Sequence, residues 1–544
     1  MYQFSGKLKM LALALIVIGA VGTAISFLSA PKTIEDAKDI LAAQHAHHGA
    51  SHGNDHASEG SHDSHAEEVK HEVKEHVEAT HQKDSTHTQE TSGHATDSTV
   101  VSHEEVAHTA DSVSHQEESH AALMSDSTKV GSHNDHEVKE AHATVAHDTH
   151  AADSHGSDED HHAEHALHQM QNRPWSAFYV AMLFFLGITL LVLAFYAAQR
   201  VAQAGWSVVL FRVMEAISAN LHYVSIFMLV FLIATFAHMN HLFSWMGEGV
   251  VDPTSPNYDA IVDGKKWWLN TPGWLIRSIF YLTGWNAYRF FIRKNSIQQD
   301  NGDLKLHKKN YNMSVIFIVF FLVTESMASW DWIMGLDPHW FSTLFGWYVL
   351  ATFLVCAVTV VAMVTIYLRS KGHLPFVNDS HIHDLAKFMF GFSVFWTYLW
   401  FAQFMLIWYA DMPEETTYYL ARFNEYKLPF IGMVALNFVF PVLLLINSDF
   451  KSIPWFVVLG GIVILVGHYV DLFVMIMPGT VGAYWGLGIG EISAFLLFLG
   501  IFIYATFSAF AKANPLAKGN PFVHESETHH YYIIEHRGEE NSHH

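Results

Sequence analysis

The sequence has almost no cysteine. Cys356 is the only one among 544 residues, and it lies inside an apolar run. A single cysteine excludes an intrachain disulfide, a CxxC metal site and a cysteine-ligated iron–sulfur cluster. Any redox centre that this chain serves must therefore be mobile or belong to a partner.

Aromatic residues are absent from residues 44–171, although they make up 14% of the whole chain. This segment has 26 acidic residues and five lysines, so it carries −21 of the net charge of −23, and it holds 26 of the 41 histidines. It cannot bury enough apolar surface to offset its conformational entropy, so we expect a disordered insertion. Two interpretations of its histidines are open. They form a buffer for zinc, nickel or copper, or they belong to a solvated, tolerated insertion and titrate at about pH 6.5. No histidine pair repeats at a fixed spacing, which favours the second interpretation.

Long apolar runs dominate the remaining chain. Crossing about 30 Å of hydrocarbon takes about 20 helical residues. Ten runs are long enough: 9–29, 175–198, 214–237, 272–292, 313–334, 341–368, 385–409, 429–447, 455–476 and 486–510. Backbone groups cannot stay unpaired in lipid, so these runs predict helices. We expect an all-α integral membrane protein of about ten transmembrane helices.

The predicted organisation has four parts. They are an N-terminal membrane anchor helix in residues 1–43, the His- and acid-rich insertion in 44–171, a polytopic membrane domain in 172–515 and a tail in 516–544. Lys7 and Lys9 precede the first span, and the connections after the fourth, sixth, eighth and tenth spans are also basic. By the positive-inside rule, both termini lie in the cytoplasm of a bacterial inner membrane and the insertion is periplasmic.

Ionisable residues within the spans are the candidate functional groups, because each costs at least about 2.5–3.5 kcal/mol on insertion scales. Glu325 lies near the middle of the fifth span and Asp331 close to its periplasmic end. On the ninth span, His468 and Asp471 are three residues apart on one helix face, and His222 lies in the third span. A His–carboxylate pair can accept the protons of a quinol, and a lone carboxylate at mid-membrane suits a proton relay. Alternatively, these groups hydrogen-bond one another and fix the helix packing.

A weak internal repeat relates the fifth and ninth spans. Asp331 precedes Pro338 by seven residues, and Asp471 precedes Pro478 by seven, with a methionine between in both. If the two spans are equivalent, spans two to five and six to nine form two related four-helix bundles.

Two other classes of membrane protein fit poorly. A di-haem cytochrome b needs histidine pairs on facing helices, and no span carries two well-spaced histidines. A transporter would place its substrate site on broken helices at the middle of the membrane. The spans lack paired Gly or Pro interruptions of this kind, and Pro441 is the main proline within a span. We predict no intrinsic cofactor, no metal site and no nucleic-acid partner. Tryptophans near the predicted periplasmic helix ends serve as interface anchors or stack on a quinone headgroup.

Three segments carry a resemblance to a known family. They are SMASWDWIMGLDPHWFSTLFGWY (326–348), FWTYLWFAQFMLIWYADMPEET (395–416) and VGHYVDLFVMIMP (466–478). They resemble the F-type membrane subunit of alternative complex III, the bacterial quinol:cytochrome c oxidoreductase unrelated to cytochrome bc1. That subunit is similar to the membrane subunits of the polysulfide reductase (NrfD-like) family. The resemblance covers about residues 172–515.

The resemblance implies two four-helix bundles flanked by two further helices, within an enzyme complex of the respiratory chain. The implied partners are a homologous membrane subunit, an iron–sulfur protein, haem c proteins and often a terminal oxidase. Menaquinol or ubiquinol is oxidised on the periplasmic side, and electrons pass to the iron–sulfur cluster and haem c of the partners. We expect catalytic roles for His468, Asp471 and Asp331, and a proton pathway through Glu325, His222 and Asp411.

Three functions remain open at this point. The first is a quinol-oxidising membrane subunit that carries protons but no cofactor of its own. The second is a structural and proton-conducting subunit, with the quinone pocket in its homologous partner. The third is a metal or ion transporter, which the His-rich segment suggests.

Overall fold

A computed structural model of the protein describes residues 2–40 and 155–531. Within these ranges the chain is helical and has no β-strand. The ten long helices are α1 (Gly6–Leu28), α2 (His155–Val201), α3 (Asn220–Phe236), α4 (Thr271–Gln299), α5 (Leu304–Trp332), α6 (Phe345–Ser370), α7 (Asp379–Ala410), α8 (Lys427–Leu445), α9 (Pro454–Val481) and α10 (Ile489–Phe510). Shorter helices include Phe211–Ile217, Ala260–Gly264, Pro413–Asn424, Ser448–Ser452 and Val523–Glu527, and α8 contains a π-helical turn at Ala435–Val439.

Nine helices in the described ranges are long and apolar enough to cross a membrane, namely all of the ten except α4. This is the pattern of an all-α, multi-pass membrane protein, as the sequence predicted. The predicted fourth span is helical, but α4 carries Arg277, Arg289, Arg293 and Lys294 and is not apolar enough. By length and composition the described chain therefore has nine candidate spans rather than about ten. Arg277 and Arg293 of α4 pair with Asp331 and Glu215 inside the protein, which relaxes the need for an apolar sequence there.

Helix α2 begins earlier than the sequence predicted. It starts at His155, so residues 155–171, assigned to the disordered insertion, are helical. The segment HHAEHALHQMQ is rich in good helix formers and runs directly into the apolar part of α2. Residues 41–154, which hold most of the predicted insertion, lie outside the described residues, as do residues 532–544 of the predicted tail.

Helices α2 and α6 form the centre of the described fold. The most apolar stretch is 94% buried in α2 and 83% buried in α6, but only 22% buried in α1. Helix α2 packs against α3, α5, α6, α9 and α10, and α6 packs against α5, α7 and α9. A helix that is apolar on every side is stable only when surrounded, which explains their central position.

Helix α1 packs along α10 through small residues. A Cβ atom added to Gly19 would lie 2.3 Å from the backbone nitrogen of Leu497, and one added to Gly500 would lie 2.8 Å from the carbonyl oxygen of Ala12. Such close backbone approach through glycine is typical of helix pairs in membranes. The two glycines therefore set the distance between α1 and α10.

We predict that Gly19→Ala lowers the thermal unfolding midpoint of the detergent-solubilised protein. Replacing glycine by alanine stabilises an isolated helix by about 1 kcal/mol. A lower unfolding midpoint would therefore come from the clash of the added Cβ atom with Leu497. Gly391→Ala in α7 is the matched control, because nothing lies within 4 Å of its added Cβ. Equal midpoints for the two variants would contradict close packing of α1 on α10.

Candidate functional site

Asp331, at the end of α5, is held by two side chains of α4. Arg277 Nε donates to Oδ2 at 2.9 Å and Nη2 to Oδ1 at 2.7 Å, and the Tyr281 hydroxyl donates to Oδ2 at 3.0 Å. Arg277 and Tyr281 are four residues apart, which places both on one face of α4. The planar guanidinium matches the two carboxylate oxygens, and Asp331 is only 1% exposed. Asp331 is therefore a buried carboxylate with a fixed orientation and a positive partner.

A pocket of about 260 Å³ opens next to this ion pair. The guanidinium of Arg277 lies 4.2 Å from the ring centre of Trp268, so one wall of the pocket contacts the group that holds Asp331. The side chains that form the pocket are mostly aromatic and include Lys265, Trp267, Trp268, Trp330, Trp340 and Phe341. A concave, aromatic lining with few polar groups suits a flat, largely apolar ring. We call this the tryptophan pocket.

The tryptophan pocket also has hydrogen-bond donors. The indole N–H groups of Trp330 and Trp340 are buried, and neither has a hydrogen-bond partner within the described ranges. Lys265 Nζ donates to the carbonyl oxygen of Pro338 at 2.6 Å. Burial lowers the pKa of Lys265, against the opposing effect of the negative charges of Asp337 and Asp259. Two tryptophans that line the pocket thus carry buried donors that the protein leaves unused.

Asp471, on α9, is enclosed by side chains of α6 and α7. It accepts hydrogen bonds from the Tyr348 hydroxyl, from Thr352 Oγ1 at 2.9 Å and from Trp396 Nε1 at 2.9 Å. His468 Nδ1 lies 3.5 Å from Asp471 Oδ2, and both side chains are fully buried. Neither ring nitrogen of His468 has a hydrogen-bond partner in the part of the chain that the structure describes. The predicted His–carboxylate pair is thus close in space without being hydrogen-bonded.

Little space adjoins Asp471. The neighbouring cavity has a volume of about 10 Å³ and is lined by Tyr348, Gln403, Tyr418 and Arg422, among others. A cavity of this size holds at most about one water molecule. As folded, the surroundings of Asp471 suit a proton or a water molecule rather than a quinol ring.

Glu325 lies one and a half turns before Asp331 on α5, and it is 5% exposed. Glu325 lines a cavity of about 40 Å³ between α2, α5 and α6, together with Leu186, Trp285 and Phe353. Its Oε1 atom has no hydrogen-bond partner among the described residues. The cavity is large enough for one or a few water molecules. Glu325 is therefore a buried ionisable group with space for water beside it.

His222 and Asp411 are not brought together with these carboxylates by any contact among the described residues. His222 Nδ1 lies 2.5 Å from Asn286 Oδ1, and Nε2 lies 2.7 Å from Arg289 Nη1. Because arginine can only donate, Nε2 accepts and the ring is neutral, with its proton on Nδ1. Asp411 is exposed and caps the C-terminus of α7 in the left-handed conformation, with φ 47° and ψ 39°. Both residues thus have local structural roles in this arrangement.

Sequence reasoning missed a buried charge network at the other end of α4. Glu215 is 2% exposed and accepts hydrogen bonds from Tyr196 at 2.7 Å, from Arg212 at 2.8 Å and from Arg293. Arg212 also pairs with Asp300 at 2.7 Å. Breaking a buried pair of this kind typically costs about 3–5 kcal/mol. Arg293 follows the fourth predicted span directly, and nothing in the sequence reveals that it contacts Glu215.

No protein-family model matches the sequence, and no curated protein matches it at a significant level. The resemblance of the three motifs therefore enters below as a proposal.

Proposed function

We propose that this chain is the F-type membrane subunit of alternative complex III, a quinol:cytochrome c oxidoreductase, and that quinol binds in the tryptophan pocket. The observation that carries the proposal is the contact between this pocket and the Arg277–Asp331 pair. An aromatic pocket for a ring and a buried carboxylate for its protons are the two elements that quinol oxidation needs from a membrane subunit.

The helix contacts support two four-helix bundles, α2–α5 and α6–α9. In the first, α2 packs against α3 and α5, and α4 packs against α3 and α5; in the second, α6 packs against α7 and α9, and α8 packs against α7 and α9. Helices α1 and α10 pack on each other at the flank. Asp331 and Asp471 then occupy corresponding positions on the last helix of each bundle. In this architecture α4 serves as a tenth membrane helix in which Arg277 is neutralised by Asp331 and Arg293 by Glu215.

The proposed reaction releases two electrons and two protons from each quinol. The Asp331 carboxylate, oriented by Arg277, accepts a hydrogen bond from one quinol hydroxyl and takes its proton as the electrons leave, while the proton of the second hydroxyl passes to water at the mouth of the pocket. The electrons pass to an iron–sulfur cluster of a partner subunit and then to haem c. The homologous membrane subunit and, in some assemblies, a terminal oxidase complete the complex.

A proton-conducting subunit without a quinone site is the second candidate function. It is favoured by the small cavities next to Glu325 and Asp471, which fit water but not a ring. It is also favoured by the three hydrogen bonds from Arg277 and Tyr281 that already occupy the Asp331 carboxylate. The two candidates differ in one respect, which is whether the tryptophan pocket holds quinone.

Quinone retention distinguishes the two functions. We expect organic solvent to extract quinone from the purified complex. The amount of quinone per protein should fall when Trp268→Ala is introduced. The control is Trp455→Ala, since Trp455 is 60% exposed and lies outside the pocket. The quinone-to-protein ratio, measured by chromatography, decides the outcome. An unchanged ratio in Trp268→Ala would favour the proton-conducting subunit.

Asp471→Asn is predicted to impair proton release. An asparagine cannot ionise, and its amide NH2 would face the donors of Tyr348, Thr352 or Trp396, leaving a buried mismatch worth about 1–3 kcal/mol. We expect slower turnover of the purified complex and a displaced pH–rate profile. Asp252→Asn is the matched control, because Asp252 is exposed and bonds only to Thr254 in its own turn. Unchanged turnover together with an unchanged pH profile would remove Asp471 from the proton pathway.

A further inference from the structure

We propose that His168 and His241 form a binding site for a divalent transition-metal ion of the zinc type. The site lies where α2 approaches the loop that follows α3, and it is independent of the proposed quinol chemistry. The sequence predicted no metal site. His168 is one of the 26 histidines of residues 44–171, but the structure places it in helix α2 rather than in a disordered insertion. The two residues are 73 positions apart, so only the fold brings them together.

The two imidazole rings have the geometry of a shared ligand pair. Their centroids lie 4.8 Å apart, and their planes meet at 68°. Zinc binds histidine nitrogen at about 2.0–2.1 Å with tetrahedral angles, which brings the centroids of two ligating imidazoles to about 5 Å. The separation of the two rings is therefore close to that of two imidazoles on one metal ion.

The position of His241 is fixed independently of any ion. Asn172, one helical turn after His168, donates from Nδ2 to the carbonyl oxygen of His241 at 3.0 Å and accepts from its backbone N–H at 3.1 Å. The same amide donates to the carbonyl oxygen of Thr480 at 3.2 Å, which anchors it to α9. Residues that orient metal ligands in this way contribute strongly to metal affinity.

The pair also has unused ligand capacity. The Nδ1 atom of His168 is buried and has no hydrogen-bond partner among the residues described. A neutral imidazole nitrogen is the commonest metal ligand in proteins, and His241 is exposed, so an ion has an entry path. No third His, Cys, Asp or Glu side chain of the described ranges converges on the pair. Water would complete the coordination shell, as in zinc sites that keep open positions.

Residue-resolved chemical modification tests the site in the full-length protein. Diethylpyrocarbonate modifies free imidazole nitrogens, and peptide mass spectrometry reports the rate at each histidine. We expect added Zn²⁺ to protect His168 and His241, and His168→Ala to abolish the protection of His241. His339 serves as the internal control, because it is exposed, pairs with Asp259 at 2.5 Å and lies outside the site. The other histidines of residues 44–171 are identical in both proteins, so any zinc that they bind cancels in the comparison.

Asn172→Ala supplies a second measurement. We expect it to raise the zinc concentration for half-protection of His241 by about 10- to 100-fold, the usual effect of losing a residue that orients a metal ligand. If His168→Ala does not fold, His241→Ala with protection of His168 as the readout replaces it. Equal modification of His241 with and without zinc would overturn the proposal. Protection that survives His168→Ala would overturn it as well.

Discussion

Asp331→Asn is expected to lower quinol oxidation by the purified complex by about 10²- to 10⁴-fold, the range contributed by a positioned general base. Asparagine keeps the shape of the side chain but cannot take a proton from a quinol hydroxyl. It also loses the paired interaction with Arg277, because its NH2 group would face a guanidinium that has only donors. The loss is expected in the maximal rate rather than in quinol affinity, since the tryptophan pocket itself is unchanged.

Two comparisons separate this effect from a general loss of structure. Asp252→Asn, on an exposed turn, is expected to leave the rate of quinol oxidation unchanged. Arg277→Lys keeps the positive charge but loses the fork that holds both carboxylate oxygens, so we expect an intermediate rate. If Asp331→Asn oxidises quinol at the normal rate in a folded complex, Asp331 has no catalytic role and the proposed quinol site is wrong.

Glu325→Gln is expected to abolish proton movement coupled to quinol oxidation while electron transfer continues. The substitution preserves the size of the side chain, so the cavity of about 40 Å³ remains, but the group can no longer bind and release a proton. An ionisable residue buried among α2, α5 and α6 is costly to maintain in a membrane helix, which is the reason for expecting a proton-handling role. Electron transfer should persist because Glu325 lies outside the tryptophan pocket.

The measurement is the number of protons moved per electron in vesicles that contain the reconstituted complex. Glu248→Gln, in an exposed loop, is the matched control and is expected to give the normal ratio. A normal ratio in Glu325→Gln would assign Glu325 to helix packing instead of proton transfer.

The apolar pattern predicted the membrane helices well, because the need to bury backbone groups acts on every residue of a span. Helix α4 is the informative exception. Two of its four basic residues are paired with acids, Arg277 with Asp331 and Arg293 with Glu215, and such pairing is invisible in a hydropathy profile. The early start of α2 was missed for a related reason. Its first turns have an insertion-like composition, yet they contain good helix formers and join an apolar helix.

The candidate site was predicted in part. Charged residues inside apolar runs marked Glu325, Asp331 and Asp471 as buried, and the structure buries all three. Their partners could not be predicted, because Asp331 and Arg277 are 54 residues apart and only the fold brings α4 beside α5. Asp411 follows the last residue of α7 and is exposed as a helix cap, so its role in a proton pathway stays a prediction.

The most direct test of the proposed quinol site is a density map of the assembled complex, prepared with its native quinone retained. We predict planar density between Trp268, Trp330 and Trp340, with one ring oxygen directed toward Asp331. An empty tryptophan pocket in a complex that shows quinone bound to the homologous membrane subunit would contradict the account.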